Sequence, residues 1–175
     1  MDIERLKYPI GKFVPPDVIT PQIVQSWITE IEQLPSKLSG ILDGISDKTL
    51  DTPYRPEGWT VRQVVHHLAD SHINSYIRFR WTLTEDKPVI KAYNQTEWAK
   101  LPDAQHADVN LSVRLLEALH SRWVVLMKTM SEQDFEKSYI HPESKSEFKL
   151  SRVVGLYAWH GKHHLAHIQN LLKSL

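Results

Sequence analysis

The chain has 175 residues, with 21 basic and 21 acidic side chains, a formal net charge of zero and no cysteine. The balanced charge argues against a nucleic-acid binder, which needs a basic face to neutralise phosphates. The lack of cysteine excludes disulfides, a cysteine nucleophile and thiolate metal ligands from the chain itself. The length predicts a single domain spanning residues 1–175. No apolar leader and no run of roughly 20 apolar residues is present, which predicts a cytoplasmic protein without a membrane partner.

The first twenty residues contain several residues that disfavour helix, namely Pro9, Gly11, Pro15 and Pro16. Proline lacks a backbone donor and glycine carries a high conformational entropy, so both interrupt regular helices. We therefore expect residues 1–20 to form an extended N-terminal arm and residues 21–175 to form the helical part of the domain.

Apolar residues then recur with the period of an α-helix in four long segments, at about 21–43, 60–84, 110–130 and 150–175. Thr60 and Gln63 form a capping-box pattern at the start of the second segment. Pro35 predicts a bend in the first. A short helix near 96–100 and a helical turn starting at Ser131 are also expected, and no alternating strand pattern persists. The fold class predicted is all-α, a four-helix bundle, which can build metal sites from side chains facing each other across its core.

Histidines cluster on the fourth helix. His160 and His164 are four residues apart, so they lie on one face one turn apart, as metal-binding pairs do. His163 and His167 have the same spacing. A helical wheel places His160 and His164 within the apolar stripe, His167 at its edge and His163 further out. The first pair is therefore predicted to bind a divalent metal, although histidines hydrogen-bonded to water or neighbours would show the same spacing.

The residues between this pair are Gly161 and Lys162. A metalloprotease helix of the H-E-x-x-H type has a glutamate base there, so that class of enzyme is not indicated. The second helix offers a third ligand from His66, His67 or His72. Periodicity alone favours His72, which is in line with the apolar residues of that helix.

Several blocks of the sequence resemble the YfiT group of the DinB-like superfamily, and together they cover nearly the whole chain. They are residues 8–11 (YPIG), 52–55 (TPYR), 58–72 (GWTVRQVVHHLADSH), 119–123 (LHSRW), 141–143 (HPE) and 157–168 (YAWHGKHHLAHI). The resemblance implies a DinB-like four-helix bundle, homodimeric assembly and one divalent metal per subunit. That metal is zinc by usual assignment, with nickel an alternative occupant in a recombinant crystal. Three histidines hold it, and they map onto His67, His160 and His164, with His72 as the alternative on the second helix.

The resemblance also implies the activity of a metal-dependent hydrolase acting on a small molecule. Three neutral ligands leave an open metal position, where the pKa of a bound water can fall to about 7. An alternative is a transferase that uses a low-molecular-weight thiol such as bacillithiol, because a metal also deprotonates thiols. A fourth protein ligand would instead indicate a non-enzymatic metal-binding stress protein.

Several further residues are predicted to support the ligands or to contact the substrate. They are Asp70, His72, His141, Arg62 and Arg55. Asp70 follows His67 by about one helical turn, which suggests that it orients that ring. The same arginines and His141 also suit ordinary ion pairs and loop contacts.

Overall fold

Four long helices dominate the computed structural model, which describes residues 3–175. The helices are α1 (Ile3–Lys7), α2 (Pro21–Leu42), α3 (Asp47–Leu50), α4 (Val61–Thr84), α5 (Gln95–Trp98), α6 (Pro102–His106), α7 (Val109–Thr129), α8 (Glu132–Glu136) and α9 (Leu150–Leu172), and the strands are β1 (Ser138–Ile140) and β2 (Glu147–Lys149). Helix α2 packs against α7 and α9, and α4 packs against the same two helices. The predicted all-α four-helix bundle is confirmed. Within residues 3–175, no helix is long and apolar enough to cross a membrane.

Local capping explains where the long helices begin. The Thr60 hydroxyl accepts a hydrogen bond from the Gln63 amide at 3.2 Å, and the Gln63 side chain accepts one from the Thr60 amide at 3.0 Å. This is the predicted capping box, which satisfies two amides that a helix start leaves without partners. Pro21 occupies the first turn of α2, where its missing N–H costs nothing. The capping box sets the start of the helix that carries His67.

Pro35 lies inside α2, and the helix continues to Leu42. An interior proline has no N–H to donate to the carbonyl four residues earlier, which here belongs to Ile31. That carbonyl instead accepts a hydrogen bond from Nδ1 of His120 at 2.6 Å. The proline thus leaves a backbone acceptor in the middle of the bundle, and α7 uses it. The bend expected at Pro35 stays a prediction.

The core has two apolar halves with a layer of histidines between them. One half contains Ile31, Phe79, Trp123 and Tyr157, and the other contains Leu34, Leu68, Leu116 and Leu165, each together with further apolar neighbours. The change from one half to the other falls at His72 on α4, at His120 on α7, and at His160 and His164 on α9. His67 lies one turn before His72 on α4. Polar rings therefore occupy the middle of the bundle, where their nitrogens require partners.

Smaller elements differ from the sequence-based expectations. Ile3–Lys7 forms a short helix, so the prediction of an entirely extended arm over 1–20 was wrong there; residues 8–20 contain no helix or strand, and residues 1–2 lie outside the described part. The antiparallel hairpin β1–β2, in which Tyr139 pairs with Phe148, was not predicted. Strands of three residues are too short to show an alternating pattern. Helices α3 and α6 were missed for the same reason of length.

Candidate metal centre

Three histidines from two helices converge at the centre of the bundle. His67 projects from α4, and His160 and His164 project from successive turns of α9. One nitrogen of each ring lies within 4.8 Å of one nitrogen of the other two. Nε2 of His67 and Nε2 of His160 are 3.2 Å apart. Two nitrogens bound to a tetrahedral zinc, each at about 2.0–2.1 Å, lie about 3.4 Å apart, so this spacing fits a shared ion.

Burial keeps these imidazoles neutral. It lowers the pKa of His67 to about 4. The pKa values of His160 and His164 lie well below their ordinary value, first because of burial and then because of repulsion from neighbouring imidazoles. A neutral imidazole presents one lone pair, which is the form that binds metals. At neutral pH the cluster therefore consists of three uncharged potential ligands.

Hydrogen bonds determine which nitrogen of His160 carries the lone pair. The Ile31 carbonyl can only accept, so Nδ1 of His120 donates to it. Nε2 of His120 then accepts from Nδ1 of His72 at 2.9 Å. Nε2 of His72 in turn accepts from Nδ1 of His160 at 3.2 Å. With every ring neutral, this series leaves the lone pair of His160 on Nε2, the atom that faces His67. We call Ile31, His120, His72 and His160 the long relay.

A shorter series orients His164 in the same way. Nε2 of His167 donates to the carbonyl of Lys7 at 3.1 Å. Nδ1 of His167 therefore accepts, and its partner at 3.3 Å is Nδ1 of His164. The lone pair of His164 is left on Nε2. We call Lys7, His167 and His164 the short relay. Metal-bound histidines usually donate their second N–H to a fixed acceptor, which sets the tautomer and the ring orientation. Both α9 members of the cluster have such an acceptor.

A second group, His163, His164 and His167, also brings its nitrogens within 4.8 Å. The hydrogen bonds argue against it as the metal site. The one lone pair of His167 accepts the Nδ1 proton of His164, so a metal bound to His167 there would break that hydrogen bond. Binding at the first group leaves that hydrogen bond in place, because His164 keeps its proton on Nδ1 and offers Nε2. His160 likewise offers Nε2, which lies 3.2 Å from Nε2 of His67.

His163 and His167 are more buried than the helical wheel predicted. Their exposed fractions are 7% and 3%. The N-terminal segment covers this face of α9: the ring of Tyr8 lies 6.0 Å from that of His163, and the Lys7 carbonyl contacts His167. A wheel drawn for α9 alone contains no information about a segment 150 residues away, so the prediction for His163 was wrong.

Two adjoining cavities reach the cluster, and both are lined by His160 and Gln95. The smaller, of about 320 Å³, contains all three histidines; its wall also includes Tyr54, Arg55, Glu57, Trp59, Trp159, His163 and His167. The larger, of about 510 Å³, is lined by Ser71, Arg78, Ala92, Tyr93, Asn94, His141, Glu143, Leu156 and Tyr157. Cavities of this size accommodate small organic molecules.

The remaining predicted site residues fall at different places. His141 lines the larger cavity, and its Nδ1 is buried without a hydrogen-bond partner. Arg55 lines the smaller cavity. His72 lies behind His160 in the long relay, with both nitrogens engaged, so the structure does not place it among the converging rings. Asp70 has a pKa raised to about 6 by burial and by Asp103. No hydrogen bond within the described residues joins its carboxyl group to His67, so the expected orienting contact is absent.

Arg62 is a structural residue. Its guanidinium donates to Asp51 at 2.7 Å, to Asp47 at 3.0 Å and to the Ala107 carbonyl at 2.9 Å. It lines neither cavity. Its prediction as a substrate contact is therefore corrected: the arginine ties α3 and the α6–α7 junction to α4. His66 is structural as well, bonded to Ser112 and to the Ala107 carbonyl.

Sequence reasoning missed His120 and Arg78. His120 falls between Leu116 and Trp123 in the apolar stripe of α7, and a polar residue in that position is the signal that was available. Arg78 precedes the core residue Phe79 on α4 and lies in line with Ser71, Ser75 and Thr82, so the apolar pattern gave no signal for it. Both side chains are buried in the structure.

Comparison with known proteins identifies the family. A sequence model described as the DinB superfamily matches residues 30–168. The chain belongs to the DinB superfamily. A DinB protein from Bacillus cereus (strain 03BB102), named "Putative metal-dependent hydrolase", is 52% identical over 170 residues, which are 97% of each chain. One from Bacillus mycoides (strain KBAB4) with the same designation is 51% identical over 173 residues, 99% of each chain.

A solved DinB structure has the same architecture. YfiT from Bacillus subtilis, described as a probable metal-dependent hydrolase with an unusual four-helix bundle topology, superposes with a TM-score of 0.95. It is 46% identical and covers 97% of both chains. The resemblance seen in the sequence blocks is thereby confirmed. The names of these relatives and the histidine groups together support a divalent metal.

Proposed function

We propose that this DinB protein is a metal-dependent hydrolase of a small molecule, with a divalent metal held by Nε2 of His67, His160 and His164. The observation that carries the proposal is the pair of relays, which leave the lone pairs of His160 and His164 on Nε2 without any charge on the rings, with that of His160 facing Nε2 of His67. The names of the relatives support the same activity.

The donor set also supports catalysis over a purely structural site. In the described part of the chain, no fourth histidine, aspartate or glutamate joins the His67 group. Three protein ligands with an open position are typical of catalytic zinc sites, whereas structural sites are closed by four. A divalent metal there supplies a Lewis acid and lowers the pKa of water in the open position to about 7.

The chain's own residues hold and shield this position. His160 borders both cavities, so a substrate entering either one reaches the cluster at His160. Trp59 packs on His67, with ring centroids 4.8 Å apart, and restricts that ring. His141 and Arg55 line the two cavities, where we assign them to substrate contact. Zinc as the native metal, one ion per subunit, a homodimer and a cytoplasmic location are parts of the same proposal.

The metal ligands can be tested by zinc titration against a chromogenic chelator. The wild type is expected to bind one zinc per chain, and His67→Ala and His164→Ala are expected to lose stoichiometric binding. His163→Ala is the matched control, because His163 belongs only to the second histidine group, and it should keep one zinc. The assignment would be contradicted if His164→Ala still bound one zinc per chain. It would also be contradicted if His67→Ala kept the zinc and His163→Ala lost it.

The reaction can be tested on zinc-containing protein with a panel of chromogenic esters and amides. Hydrolysis without added thiol, absent in His164→Ala, is the expected result. A parallel series adds low-molecular-weight thiols with an electrophilic acceptor. Turnover that occurs only in the thiol series would replace the hydrolase assignment with thiol transfer. An intact zinc site with no turnover in either series would favour a non-enzymatic role.

A further inference from the structure

Arg78 lies in the wall of the larger cavity and has no acidic partner. Its side chain projects from α4, one residue before the core residue Phe79, and the residue is only 8% exposed. One terminal nitrogen donates to the Lys91 carbonyl at 3.2 Å. Nε has no hydrogen-bond partner, and no carboxylate of residues 3–175 forms an ion pair with the guanidinium.

Arg62, on the same helix, shows what a structural buried arginine looks like in this protein. It is 7% exposed, nearly the same as Arg78, and it is paired with two carboxylates, from Asp47 and Asp51. A guanidinium remains charged at any accessible pH, so it cannot relieve its burial by losing a proton. A buried cation without a counter-charge is costly and is rarely retained without a role.

The cavity around Arg78 is suited to a polar, negatively charged group. Its wall includes the side chains of Ser71, Tyr93 and Asn94, which can donate hydrogen bonds. Burial raises the pKa of Tyr93 to about 12, so its hydroxyl keeps its proton at neutral pH. Glu143 is the one acidic residue among the described lining residues, and it is exposed on the loop after β1.

We infer that Arg78 binds an oxyanion group, a carboxylate or a phosphate, of the molecule that the metal centre acts on. The planar guanidinium matches both groups, and each supplies the missing counter-charge. The larger cavity meets the histidine cavity at His160 and Gln95, so a ligand anchored at Arg78 extends toward His160. The substrate role rests on the proposed hydrolase function, whereas the oxyanion binding itself does not require turnover.

Calorimetric titration of the zinc-containing protein tests the inference. The probes are succinate, inorganic phosphate and succinamide, which has the shape of succinate without its charge. The wild type is expected to bind succinate or phosphate, and not succinamide. Arg78→Met should weaken that binding by about tenfold or more, because it removes charge-assisted hydrogen bonds. The affinity of Arg78→Lys should lie between those of the wild type and Arg78→Met, since lysine keeps the charge but cannot form two parallel hydrogen bonds to one oxyanion.

Arg114→Met is the matched control, because Arg114 is exposed on α7 and lines neither cavity. It should bind the probes like the wild type. Direct ligation of the metal by the probe would persist in Arg78→Met and is measured there as the residual affinity. Preference for succinate over phosphate, or the reverse, identifies the group.

Two results would overturn the inference: wild-type affinity in a folded Arg78→Met, or a wild type that binds neither succinate nor phosphate more tightly than succinamide. If Arg78→Met does not fold, as judged by circular dichroism, Arg78→Lys and Arg78→Gln take its place. Zinc content is measured in each variant. A wild type that binds no zinc would refute the metal centre. An Arg78→Met variant that keeps its zinc and binds the probes like the wild type would refute only the Arg78 subsite.

Discussion

An imidazole ring has two nitrogens, and its neighbours decide which of them carries the proton. In this protein the deciding atoms are two backbone carbonyls, those of Ile31 and Lys7. Through hydrogen bonds, His120, His72 and His167 link these carbonyls to His160 and His164 and so fix which nitrogen of each carries the proton. None of these three residues is a metal ligand in our assignment, so they are positioning residues for His160 and His164.

His120→Leu tests the positioning role directly. The change removes the donor to Ile31 and frees His72 to reverse, so Nδ1 of His160 loses its fixed acceptor. We expect zinc affinity to fall by about 10- to 100-fold, the usual effect of losing such a partner. Chelator competition measures the affinity. The ¹⁵N shifts of His160 report its tautomer, which a purely structural substitution would leave unaltered.

His106→Ala is the control, because His106 is exposed and lies outside both relays. Unchanged zinc affinity and unchanged His160 shifts in His120→Leu would show that the long relay has no positioning role.

The sequence predicted the converging residues better than it predicted their supports. Spacing of four on one helix is a local property, so His160 and His164 were recognisable as a pair. His120 and Arg78 matter because of the residues that they contact or face across the bundle. Helical periodicity shows only that His120 faces inward, and it does not show this for Arg78. The choice between His67 and His72 depended on a rotation of α4 that a wheel does not resolve.

At the scale of helices, Pro35 has a specific effect within α2. A proline in a helix interior costs about 3 kcal/mol or more, through a lost hydrogen bond and a clash with the carbonyl four residues earlier. Here that carbonyl is the anchor of the long relay. The helix is thus less stable than it would be without Pro35, and the free carbonyl is available to His120.

Pro35→Ala should therefore separate stability from metal binding. The new N–H of residue 35 competes with His120 for the Ile31 carbonyl, so zinc affinity should fall by about tenfold. The melting temperature of the metal-free protein should rise, by about 2–4 °C for each kcal/mol recovered. Differential scanning calorimetry and chelator competition measure the two effects.

Pro21→Ala provides the comparison, since Pro21 stands in the first turn of α2 where no intrahelical bond is missing. It should leave zinc affinity unchanged. A Pro35→Ala variant that is more stable and binds zinc as tightly as the wild type would separate the proline from the metal site.

Element prediction succeeded where the pattern was long. The four bundle helices and the Thr60 capping box follow from periodicity and from adjacent residues. The short helix α1 and the hairpin β1–β2 depend on contacts with the rest of the chain. The β1–β2 pair is held in part by stacking of Tyr139 on Phe148, with ring centroids 5.7 Å apart. No window of three to five residues carries such information.

At the scale of the whole molecule, the histidine layer makes stability depend on pH. Burial lowers the pKa of His67 and of His120 from the ordinary value of 6.5 to about 4. Between these two pH values the histidines bind protons in the unfolded chain but not in the folded protein. The free energy of unfolding therefore falls as the pH drops from 6.5 toward 4. Asp70, with a pKa raised to about 6, acts in the opposite direction but is a single group.

The metal-free protein is accordingly expected to lose about 2 kcal/mol of unfolding free energy per buried histidine of this kind between pH 7.5 and pH 5. Urea unfolding at a series of pH values measures the slope. His120→Leu should show a shallower slope than the wild type, and His106→Ala the same slope. A flat profile between pH 7 and pH 5 would contradict the burial of these rings as neutral groups.

The long relay crosses all four bundle helices, from Ile31 on α2 through His120 on α7 and His72 on α4 to His160 on α9. Apolar contacts are non-directional, and alone they tolerate sliding of one helix along another. If any of these helices slid along its axis by one turn, its residue in the long relay would move by about 5.4 Å. Polar nitrogens would then lie in an apolar interior without hydrogen-bond partners. The hydrogen bonds that set the tautomer of His160 thereby also favour one axial register of the four helices. The metal-free chain can adopt this register without a bound ion.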